Sequence, residues 1–438
     1  MTGPSPLPCH QRTDENVVME SWPVFVACAP GLEPLLNAEI TSIGGDATAS
    51  SIVEGGVELH ADAATLYRLH LELGLALKIL VRIGTFRATG FGELERRAAA
   101  LPWERWLTPP VSVLVRATCR HSRLWHSDAV AERVQGVIAE WAVASAATPC
   151  RRGRRARRRG GAESDAPAGT TGVAMANALE VQVRLMDDVC TISLDTAGEL
   201  LSRRGYREAG AKAPLREDLA RALVIASGWD MRSPLVDPFA GSGTIAIEAD
   251  WLARRVPPGH LRRFALFEMP AFDPRLWSEL RDAALQRSTI EGPPIFASDR
   301  DAGAVKAARA NAERATCNNV HVDEAALMSA PALAAPPAER GAIVTNPPWG
   351  RRVRGRDPLA NLYAAFGNAA RKLPGSWRVA MAVASPQLAR MTGLDLQPAV
   401  MTDSGGVKVY FAVGAAHALP PRRRRPARRP SRPRQGTR

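Results

Sequence analysis

Alternating and helical patterns of apolar residues predict a small α+β unit in the first half of the chain. Strands are predicted over 24–28, 51–60 and 78–86, and helices over 31–43 and 63–75. Residues 90–195 show the same mixture of predicted helices and strands. The helices are predicted over 93–100 and 128–144, a strand over 111–118, and a hairpin over 179–185 and 189–194. We therefore expect an α+β module over residues 21–195, after a polar stretch, 1–20, that is expected to be disordered.

The second half, residues 196–416, alternates predicted strands and helices, which is typical of a mainly parallel, doubly wound α/β sheet. A short apolar strand at 234–236 runs into a glycine-containing loop and then a helix-forming stretch. Further strands are expected at 294–298 and 341–345. An insertion at 254–290 carries Trp277.

The length of 438 residues is too great for one ordinary core and indicates two or three domains. No apolar stretch is long enough to span a bilayer, and the start of the chain lacks a secretory pattern, so no membrane association is expected. The six cysteines are scattered without metal-ligand spacing. We interpret them as reduced thiols of a cytoplasmic, metal-free protein that acts as a monomer.

The net charge of +13 is concentrated in two arginine-rich segments, at 151–159 and 422–438. They hold 16 of the 57 basic residues, so the rest of the chain has 41 basic against 44 acidic residues. Arginine-rich segments bind nucleic-acid phosphates through counterion release. The alternative is a solubilising composition without a partner. Residues 417–438 are expected to form a disordered tail.

The peptide Asn346-Pro347-Pro348-Trp349 ends the apolar run 341–345 and is a candidate catalytic site. The Asn346 side-chain carbonyl and the Pro347 carbonyl can both accept hydrogen bonds from one planar amino group, and the prolines stiffen the backbone. Trp349 offers an aromatic face on which a flat ring can stack. A Pro-Pro turn that merely closes a strand is the alternative.

The loop 237–244, Asp-Pro-Phe-Ala-Gly-Ser-Gly-Thr, lies between a predicted strand and a helix. Its glycines lack side chains, which lets a ligand approach the backbone. A phosphate-binding P-loop would need a lysine after the last glycine, and the dinucleotide pattern G-x-G-x-x-G is also missing. An acidic residue that opens the loop suits a cationic or amino-acid ligand better than a pyrophosphate.

Together, these two motifs resemble those of class I S-adenosylmethionine-dependent methyltransferases that act on amino nitrogens. More narrowly, the chain resembles the THUMP-domain RNA methyltransferases, whose bacterial members include 23S ribosomal RNA guanine-N2 methyltransferases. The resemblance covers roughly residues 22–413, and its further matching segments are 24–36, 122–126, 131–134, 204–207 and 213–217. It implies a ferredoxin-like piece plus a THUMP domain that binds RNA, followed by a Rossmann-like methyltransferase domain.

The resemblance also implies S-adenosylmethionine as the cofactor and a set of residues that hold it. In the glycine loop these are Asp237, Phe239, Gly241, Gly243 and Thr244, together with Asn346 of the catalytic peptide. Asp299 follows the second strand, where a ribose is usually held. Asp301 is expected to cap the following helix. Asp323 matches the family position that contacts the adenine amino group, although a plain strand-end cap explains it as well.

Several basic and aromatic residues are candidates for RNA contact. Arg123 and Trp125, flanked by two histidines, form a basic and aromatic cluster suited to stacking and phosphate contact, although a structural tryptophan beside solvated charges is the alternative. The further candidates are Arg151, Arg152, Arg154, Arg155, Arg204, Arg207, Arg351 and Arg352. Arg204 and Arg207 could equally belong to a basic linker that pairs with acidic residues.

The leading hypothesis is methylation of guanine N2 in ribosomal RNA, with transfer RNA as another RNA substrate. The alternatives are adenine-N6 methylation of DNA or RNA, glutamine methylation of a protein, and an inactive RNA-binding module. Trp349 stands where the family usually has tyrosine, so we expect its ring to keep a stacking surface but to lose a phenolic hydrogen bond. No catalytic base is needed, because methylation makes the nitrogen cationic and its proton acidic.

Overall fold

Two seven-stranded sheets organise the chain. The computed structural model describes residues 21–44, 49–147, 178–207, 215–350 and 357–417. The stretch 1–20, the arginine run 151–159 and residues 418–438 lie outside the described residues, so the expectations for them are not addressed by the structure.

The first sheet has the order β2-β3-β1-β4-β7-β6-β5. Its strands are β1 (Trp22–Cys28), β2 (Ser51–Val53), β3 (Gly56–Ala61), β4 (Ala76–Arg87), β5 (Val113–Arg120), β6 (Leu179–Met186) and β7 (Val189–Asp195). The helices of this part are α1 (Glu33–Ile43), α2 (Ala63–Glu72), α3 (Phe91–Ala99) and α4 (Ser127–Ala147). The strand expected at 51–60 is a hairpin, because Gly55 adopts a φ of 80° that turns the chain between β2 and β3.

The long strand β4 merges the two predicted pieces of this half into one sheet. Its residues pair antiparallel with β1, as in Val24↔Val81, and on the other edge with β7, as in Val81↔Leu194. Twelve residues give β4 the length to serve both partners. The two predicted pieces of this half are therefore continuous through backbone hydrogen bonds.

Alternate residues of this sheet face a buried core and an accessible surface. In β6, Val181, Val183 and Leu185 are buried, whereas Gln182 and Arg184 are not. Side chains from five adjacent strands line a concave surface on the accessible side. We call it the open face and define it by Arg82, Arg116, Gln182, Arg184, Thr191 and Ser193.

The second sheet has the order β10-β9-β8-β11-β12-β14-β13 and is parallel except for the pairings of β14. Its strands are β8 (Leu235–Asp237), β9 (Ile295–Asp299), β10 (Val320–Glu324), β11 (Arg340–Thr345), β12 (Ser376–Val383), β13 (Leu396–Asp403) and β14 (Lys408–Ala415). The helices are α5 (Glu217–Ala226), α6 (Thr244–Arg254), α7 (Pro274–Gln286), α8 (Ala302–Arg314), α9 (Pro331–Ala334), α10 (Asp357–Arg371) and α11 (Pro386–Arg390). The predicted doubly wound α/β fold is confirmed.

The order of this sheet fixes where a ligand can bind. Sequential strands run outward from β8 to β10 on one side, and the chain then returns to place β11 on the other side of β8. In an open α/β sheet, ligands bind at such a switch point, beyond the carboxyl ends of the strands. The glycine loop follows β8 and the Asn-Pro-Pro-Trp peptide follows β11, so the fold brings both motifs to that place.

The insertion between α6 and β9 packs against the N-terminal half. The Trp277 ring of α7 lies 5.9 Å from that of Tyr67 in α2, and the backbone N–H of Asp273 donates to the Tyr67 hydroxyl over 2.8 Å. The Gly259 N–H donates to the Leu71 carbonyl, and a Cβ at Gly259 would lie 2.3 Å from the His70 carbonyl oxygen. Only glycine allows this approach, so the insertion joins the two halves.

A buried ionic network makes a second connection between the halves. Arg204 is 1% exposed, and its Nε donates to Glu248 of α6 over 3.2 Å. Its other N–H groups donate to the carbonyls of Leu201 and Gly74. Arg221 lies 3.3 Å from Glu39 of α1 and 3.6 Å from Glu248. The expectation that Arg204 contacts RNA is wrong, because its guanidinium is enclosed and bonded inside the protein.

We predict that Trp277→Ala destabilises the protein by about 3–5 kcal/mol, because the indole fills the aromatic cluster between the halves and its loss leaves a cavity. Trp277 contacts Phe264, Phe267 and Tyr67 at centroid distances of 5.6, 4.9 and 5.9 Å. Denaturant unfolding measures the change. Leu285→Ala, at a site 39% exposed on the same helix, should cost below about 0.5 kcal/mol. Equal losses in the two variants would contradict the role of the cluster.

Candidate active site

The loop between β8 and α6 carries the glycine motif. Gly241 has a φ of 53° and Gly243 a φ of 81°, both in the left-handed region that favours glycine. A Cβ on Gly243 would lie 3.1 Å from the Cβ of Ala308 in α8, whereas a Cβ on Gly241 would meet nothing within 4 Å. Contrary to expectation, the missing side chain of Gly243 serves packing against α8. Gly241 leaves the approach to the loop open.

Neighbouring elements hold this loop in place. The buried Asn311 of α8 donates through its side-chain amide to the Ser242 carbonyl over 2.9 Å. The Gly241 N–H donates to Asp299 over 2.9 Å, and the Ala240 N–H donates to the Ser298 carbonyl. The loop is therefore fixed by β9 and α8 as well as by its own turn.

Acidic side chains follow the ends of three adjacent parallel strands. Asp237 ends β8, Asp299 ends β9, and Asp323 pairs with Ser298 near the end of β10. Asp299 is half-buried and accepts from the N–H groups of Gly241 and Asp301. Asp301 accepts from the Ala304 N–H over 3.0 Å, which confirms that it caps α8. The strand order thus places three carboxylates along the edge where a ligand would bind.

Asp237 connects the two sequence motifs directly. Its Oδ1 accepts from the Thr345 hydroxyl over 2.6 Å and from the Phe239 N–H over 3.2 Å, and the side chain is fully buried. Thr345 is the residue before Asn346. Burial raises the pKa of the Asp237 carboxyl to about 7, and the nearby Asp299 carboxylate also raises it, against the lowering effect of these two hydrogen bonds.

Two buried acceptors at this junction have no hydrogen-bond partner among the described residues. They are Oδ2 of Asp237 and the side-chain carbonyl oxygen of Asn346. A buried acceptor without a donor costs about 1–3 kcal/mol, so such atoms indicate a place where a donor binds. The site is therefore suited to ligands that present N–H or O–H groups.

The Asn-Pro-Pro-Trp peptide is anchored on both sides. The Trp349 indole N–H donates to the Ala382 carbonyl of β12 over 3.0 Å, and the ring is half-buried. The Tyr363 hydroxyl of α10 donates to the Pro348 carbonyl over 3.1 Å. Tyr363 is 1% exposed, and burial raises the pKa of its hydroxyl, which keeps it a donor. Trp349 thus makes an anchoring hydrogen bond through its indole nitrogen. The sequence predicted only the loss of the phenolic hydrogen bond that a tyrosine would make at this position.

Arg207 lies beside the glycine loop. It donates to the Leu215 carbonyl over 3.1 Å and to the Thr244 hydroxyl, and its Nε lies 3.3 Å from Glu217. Its side chain is 17% exposed. These bonds give Arg207 a structural role, and its predicted RNA contact stays a prediction. Arg207 links the segment that precedes α5 to Glu217 of α5 and to Thr244, the first residue of α6. The Thr244 hydroxyl therefore already accepts a hydrogen bond from Arg207.

The predicted cluster around Trp125 is exposed. Trp125 is 71% exposed, its ring centroid lies 4.2 Å from that of His126, and Arg123 is exposed beside it. This agrees with an accessible surface and not with a buried structural tryptophan. The other arginine candidates, Arg151, Arg152, Arg154, Arg155, Arg351 and Arg352, lie outside the described residues.

The described cysteines are free thiols, namely Cys28, Cys119, Cys190 and Cys317. Burial raises the pKa of Cys28 and of Cys190 to about 12, so both stay protonated at neutral pH. Within the described ranges, no group of three or more metal-ligating side chains occurs. No helix there has the length and apolar content of a membrane span.

Comparison with known families decides the assignment. The profile described as "RMKL-like, methyltransferase domain" matches residues 204–404, and that described as "RlmL ferredoxin-like domain" matches residues 23–80. Residues 204–404 therefore form an RMKL-like methyltransferase domain. The family resemblance drawn from the motifs is confirmed, and S-adenosylmethionine is the cofactor.

Individual relatives cover most of the chain. A candidate RNA methyltransferase of Synechocystis sp. is 28% identical over 88% of this chain and 94% of its own length. A ribosomal RNA large subunit methyltransferase K/L of Syntrophotalea carbinolica is 31% identical over 84% of this chain, which spans half of that relative's length. A candidate methyltransferase solved with S-adenosylhomocysteine is 23% identical, covers 91% of this chain and 99% of its own, and shares the fold with a TM-score of 0.75.

The site geometry fits S-adenosylmethionine. The cofactor presents an ammonium, two ribose hydroxyls and an adenine amino group, all of which are donors. Asp237 offers a buried acceptor without a partner, and Asp299 and Asp323 place further carboxylates at the same edge. The open side of Gly241 leaves space beside the loop. These residues would hold the group at the end of β8.

Sequence reasoning missed Thr345, Tyr363 and Asn311. Thr345 had a visible signal, since one polar residue ends an otherwise apolar strand directly before Asn346. Tyr363 and Asn311 had none, because each lies within an ordinary helical pattern and acts through a backbone carbonyl that is distant in sequence. All three hold the motif residues in position.

We predict that Tyr363→Phe lowers kcat about three- to tenfold, because the loop that carries Asn346 loses a hydrogen bond worth about 0.5–1.5 kcal/mol. The KM for S-adenosylmethionine should change less than twofold. Steady-state methyl transfer measures both values. Tyr410→Phe, on half-buried β14, is the matched control and should leave both unchanged. A rise in KM with kcat unaltered would show that Tyr363 does not position the loop.

Proposed function

We propose that this protein transfers the methyl group of S-adenosylmethionine to N2 of guanine in ribosomal RNA. The observation that carries the proposal is the buried carbonyl oxygen of Asn346, which accepts from no described residue and lies directly after the Asp237–Thr345 contact. The name of the Syntrophotalea carbinolica relative, a ribosomal RNA large subunit methyltransferase, supports the choice of RNA.

In this proposal Asn346 and Pro347 bind the reacting amine. The side-chain carbonyl of Asn346 and the backbone carbonyl of Pro347 each accept one N–H of the exocyclic amino group. This pulls the nitrogen lone pair out of conjugation with the ring and aims it at the methyl group. The Pro348 carbonyl is already bonded to Tyr363, which leaves the Pro347 carbonyl as the acceptor.

When bound, S-adenosylmethionine supplies an electrophilic sulfonium methyl group, so positioning and electrostatics can provide most of the acceleration. Asp237 would hold the ammonium of the cofactor, Asp299 its ribose and Asp323 its adenine amino group, beside Phe239 and the glycine loop. Trp349, held at its indole nitrogen, would stack on the base. A base inside a duplex must be flipped out to reach this position.

The cellular compartment and the oligomeric state of the protein are also part of the proposal. We propose a cytoplasmic protein that acts as a monomer without a metal. The described free thiols agree with a reducing compartment. Sedimentation of the purified protein with and without RNA measures the assembly state.

We predict that Asn346→Ala lowers the turnover of methyl transfer by at least about a hundredfold, because the amine loses its side-chain acceptor in the transition state. The affinity for S-adenosylmethionine, measured by calorimetry, should change only a few-fold. Asn361→Ala, at an exposed site on α10, is the control and should behave like the unmodified protein. Near-normal turnover of Asn346→Ala would contradict the assignment of the catalytic peptide.

The substrate is identified by incubating the protein with labelled S-adenosylmethionine and ribosomal RNA, transfer RNA, DNA or protein. Nucleoside mass spectrometry then distinguishes N2-methylguanine from N6-methyladenine. Label in N2-methylguanine of ribosomal RNA supports the proposal. Label in N6-methyladenine alone would replace it with adenine methylation, since the same peptide can bind either amine.

We predict that S-adenosylmethionine binds about tenfold more tightly at pH 7.0 than at pH 5.5. The folded pKa of Asp237 is raised to about 7, so the carboxyl is mostly neutral at pH 5.5 and must lose its proton to bind an ammonium. Affinity therefore rises with pH through this window. Asp237→Asn should bind weakly and without this pH dependence, as calorimetry can show. An unchanged pH profile in the variant would exclude Asp237 as the titrating group.

A further inference from the structure

We propose that Thr345 is a positioning residue for the cofactor, whose hydroxyl keeps the Asp237 carboxylate oriented and ionised for binding the ammonium of S-adenosylmethionine. This inference rests on the proposed function, which assigns Asp237 to that ammonium, and it adds a residue that acts through Asp237. Thr345 ends β11 and directly precedes Asn346.

The hydrogen bonds of Asp237 determine which of its two carboxylate oxygens is free for a ligand. Oδ1 accepts from the Thr345 hydroxyl over 2.6 Å and from the Phe239 N–H over 3.2 Å. Oδ2 is buried and accepts from no described residue. Two donors on one oxygen restrain the rotation of the carboxylate, so Oδ2 is left as the acceptor for a donor of the ligand.

The same bond connects two strands beyond the end of their backbone pairing. β8 and β11 pair in parallel at Ala342↔Leu235 and Ile343↔Val236. Asp237 and Thr345 follow this pairing by one and two residues, at the edge where both strands end. The Thr345 hydroxyl therefore holds the end of β8, with the start of the glycine loop, against the residue that precedes the catalytic peptide.

The length of the bond fits an ionised acceptor. Hydrogen bonds from a hydroxyl to a carboxylate are about 2.5–2.7 Å long, shorter than those between neutral groups. The distance from the Thr345 hydroxyl to Asp237 is 2.6 Å, and both side chains are fully buried. A donor to the ionised carboxylate stabilises that form against burial, which is the main cause that raises the pKa of Asp237.

The charged residues on the elements that pack against β8 are Asp299 of β9, Arg340 of β11, and Glu248, Asp250 and Arg254 of α6. Asp299 raises the pKa of Asp237. Arg340 begins β11, at the opposite end from Thr345. Glu248 lies 3.2 Å from Arg204, and Asp250 lies 2.6 Å from Arg254. Among the described residues, the effects that lower the pKa of Asp237 are therefore the hydrogen bonds from Thr345 and from the Phe239 N–H.

The test measures the affinity of the full-length protein for S-adenosylmethionine by calorimetry between pH 5.5 and 8.5. Thr345→Val removes the hydroxyl and keeps the shape of the side chain. Loss of a hydrogen bond to a charged group should move the pH midpoint of binding upward by about one unit, because more of Asp237 is then protonated at neutral pH. Relative to the unmodified protein, the variant should bind about fivefold more weakly at pH 7.0 and within about twofold at pH 8.5. The cofactor's own amino group titrates equally in both measurements, so its effect cancels.

Two further variants separate the hydroxyl from the shape of the side chain. Thr345→Ser retains the hydroxyl and should keep the midpoint of the unmodified protein. Thr345→Ala removes the hydroxyl without replacing it, and it should shift the midpoint in the same direction as Thr345→Val. The result therefore does not depend on how valine packs at this position.

Thr402→Val is the matched control. Thr402 of β13 is 4% exposed, and its hydroxyl has no hydrogen-bond partner among the described residues. The substitution therefore removes a buried hydroxyl without breaking a bond to a carboxylate. The affinity for S-adenosylmethionine and its pH midpoint should both stay unchanged.

A double-mutant cycle shows whether Thr345 acts through Asp237. In the Asp237→Asn background, Thr345→Val should change the affinity for S-adenosylmethionine by less than about twofold, because no carboxylate remains for the hydroxyl to stabilise. Equal losses of affinity at pH 7.0 in the two backgrounds would overturn the inference, since Thr345 would then act independently of Asp237.

The outcomes separate this inference from the proposed function, because cofactor binding is measured without RNA. Methylation of guanine N2 by the unmodified protein, together with an unchanged pH midpoint in Thr345→Val, would overturn the inference alone. An upward shift in Thr345→Val that is absent in Thr345→Ser supports the inference. If the unmodified protein then yields no N2-methylguanine in RNA, the proposed function alone is overturned.

Discussion

The hydrogen bond from the Thr345 hydroxyl to Asp237 is the contact on which the active site depends. It joins residues 108 apart in sequence, over 2.6 Å, with both side chains fully buried. Removal of either partner would leave the other with an unmet polar group in a site of low dielectric, where such groups are most costly. The bond therefore fixes the distance between the glycine loop and Asn346. In the proposed reaction, this distance sets the approach of the methyl donor to the amine.

The rigid connection between the halves follows from a different principle. An arginine that is 1% exposed, such as Arg204, is stable only when its charge is paired and its donors are bonded. Here Glu248, Leu201 and Gly74 each accept one hydrogen bond from its guanidinium. Gly74 belongs to the N-terminal half and Glu248 to α6. Any separation of the halves would therefore leave buried charged groups without their hydrogen-bond partners. Large independent movement of the two halves is therefore costly, and an RNA held by one half stays in register with the site in the other.

The sequence predicted those features that depend on local pattern. Alternation and helical periodicity predicted the element types and the doubly wound second sheet, and the two motifs identified Asn346 and the glycine loop. It failed where an outcome depends on distant partners. Arg204 resembles any solvated arginine in sequence, and its burial follows only from the meeting of α6 with the N-terminal half. Likewise, the pairing of β4 with β7 is a long-range register that no periodicity encodes.

The anchored state of the catalytic peptide has a consequence for how the substrate is recognised. Trp349 is bonded to β12 and Pro348 to α10, so the peptide has little freedom to close on a base. Catalytic groups must lie within about 0.5 Å of their productive positions, and fixed acceptors meet this condition before the substrate arrives. In the proposed reaction, the RNA must therefore change conformation, because it has to present an unpaired or flipped base. Keeping the base out of its stack costs free energy, so contacts between the protein and the RNA outside the catalytic peptide must offset this cost.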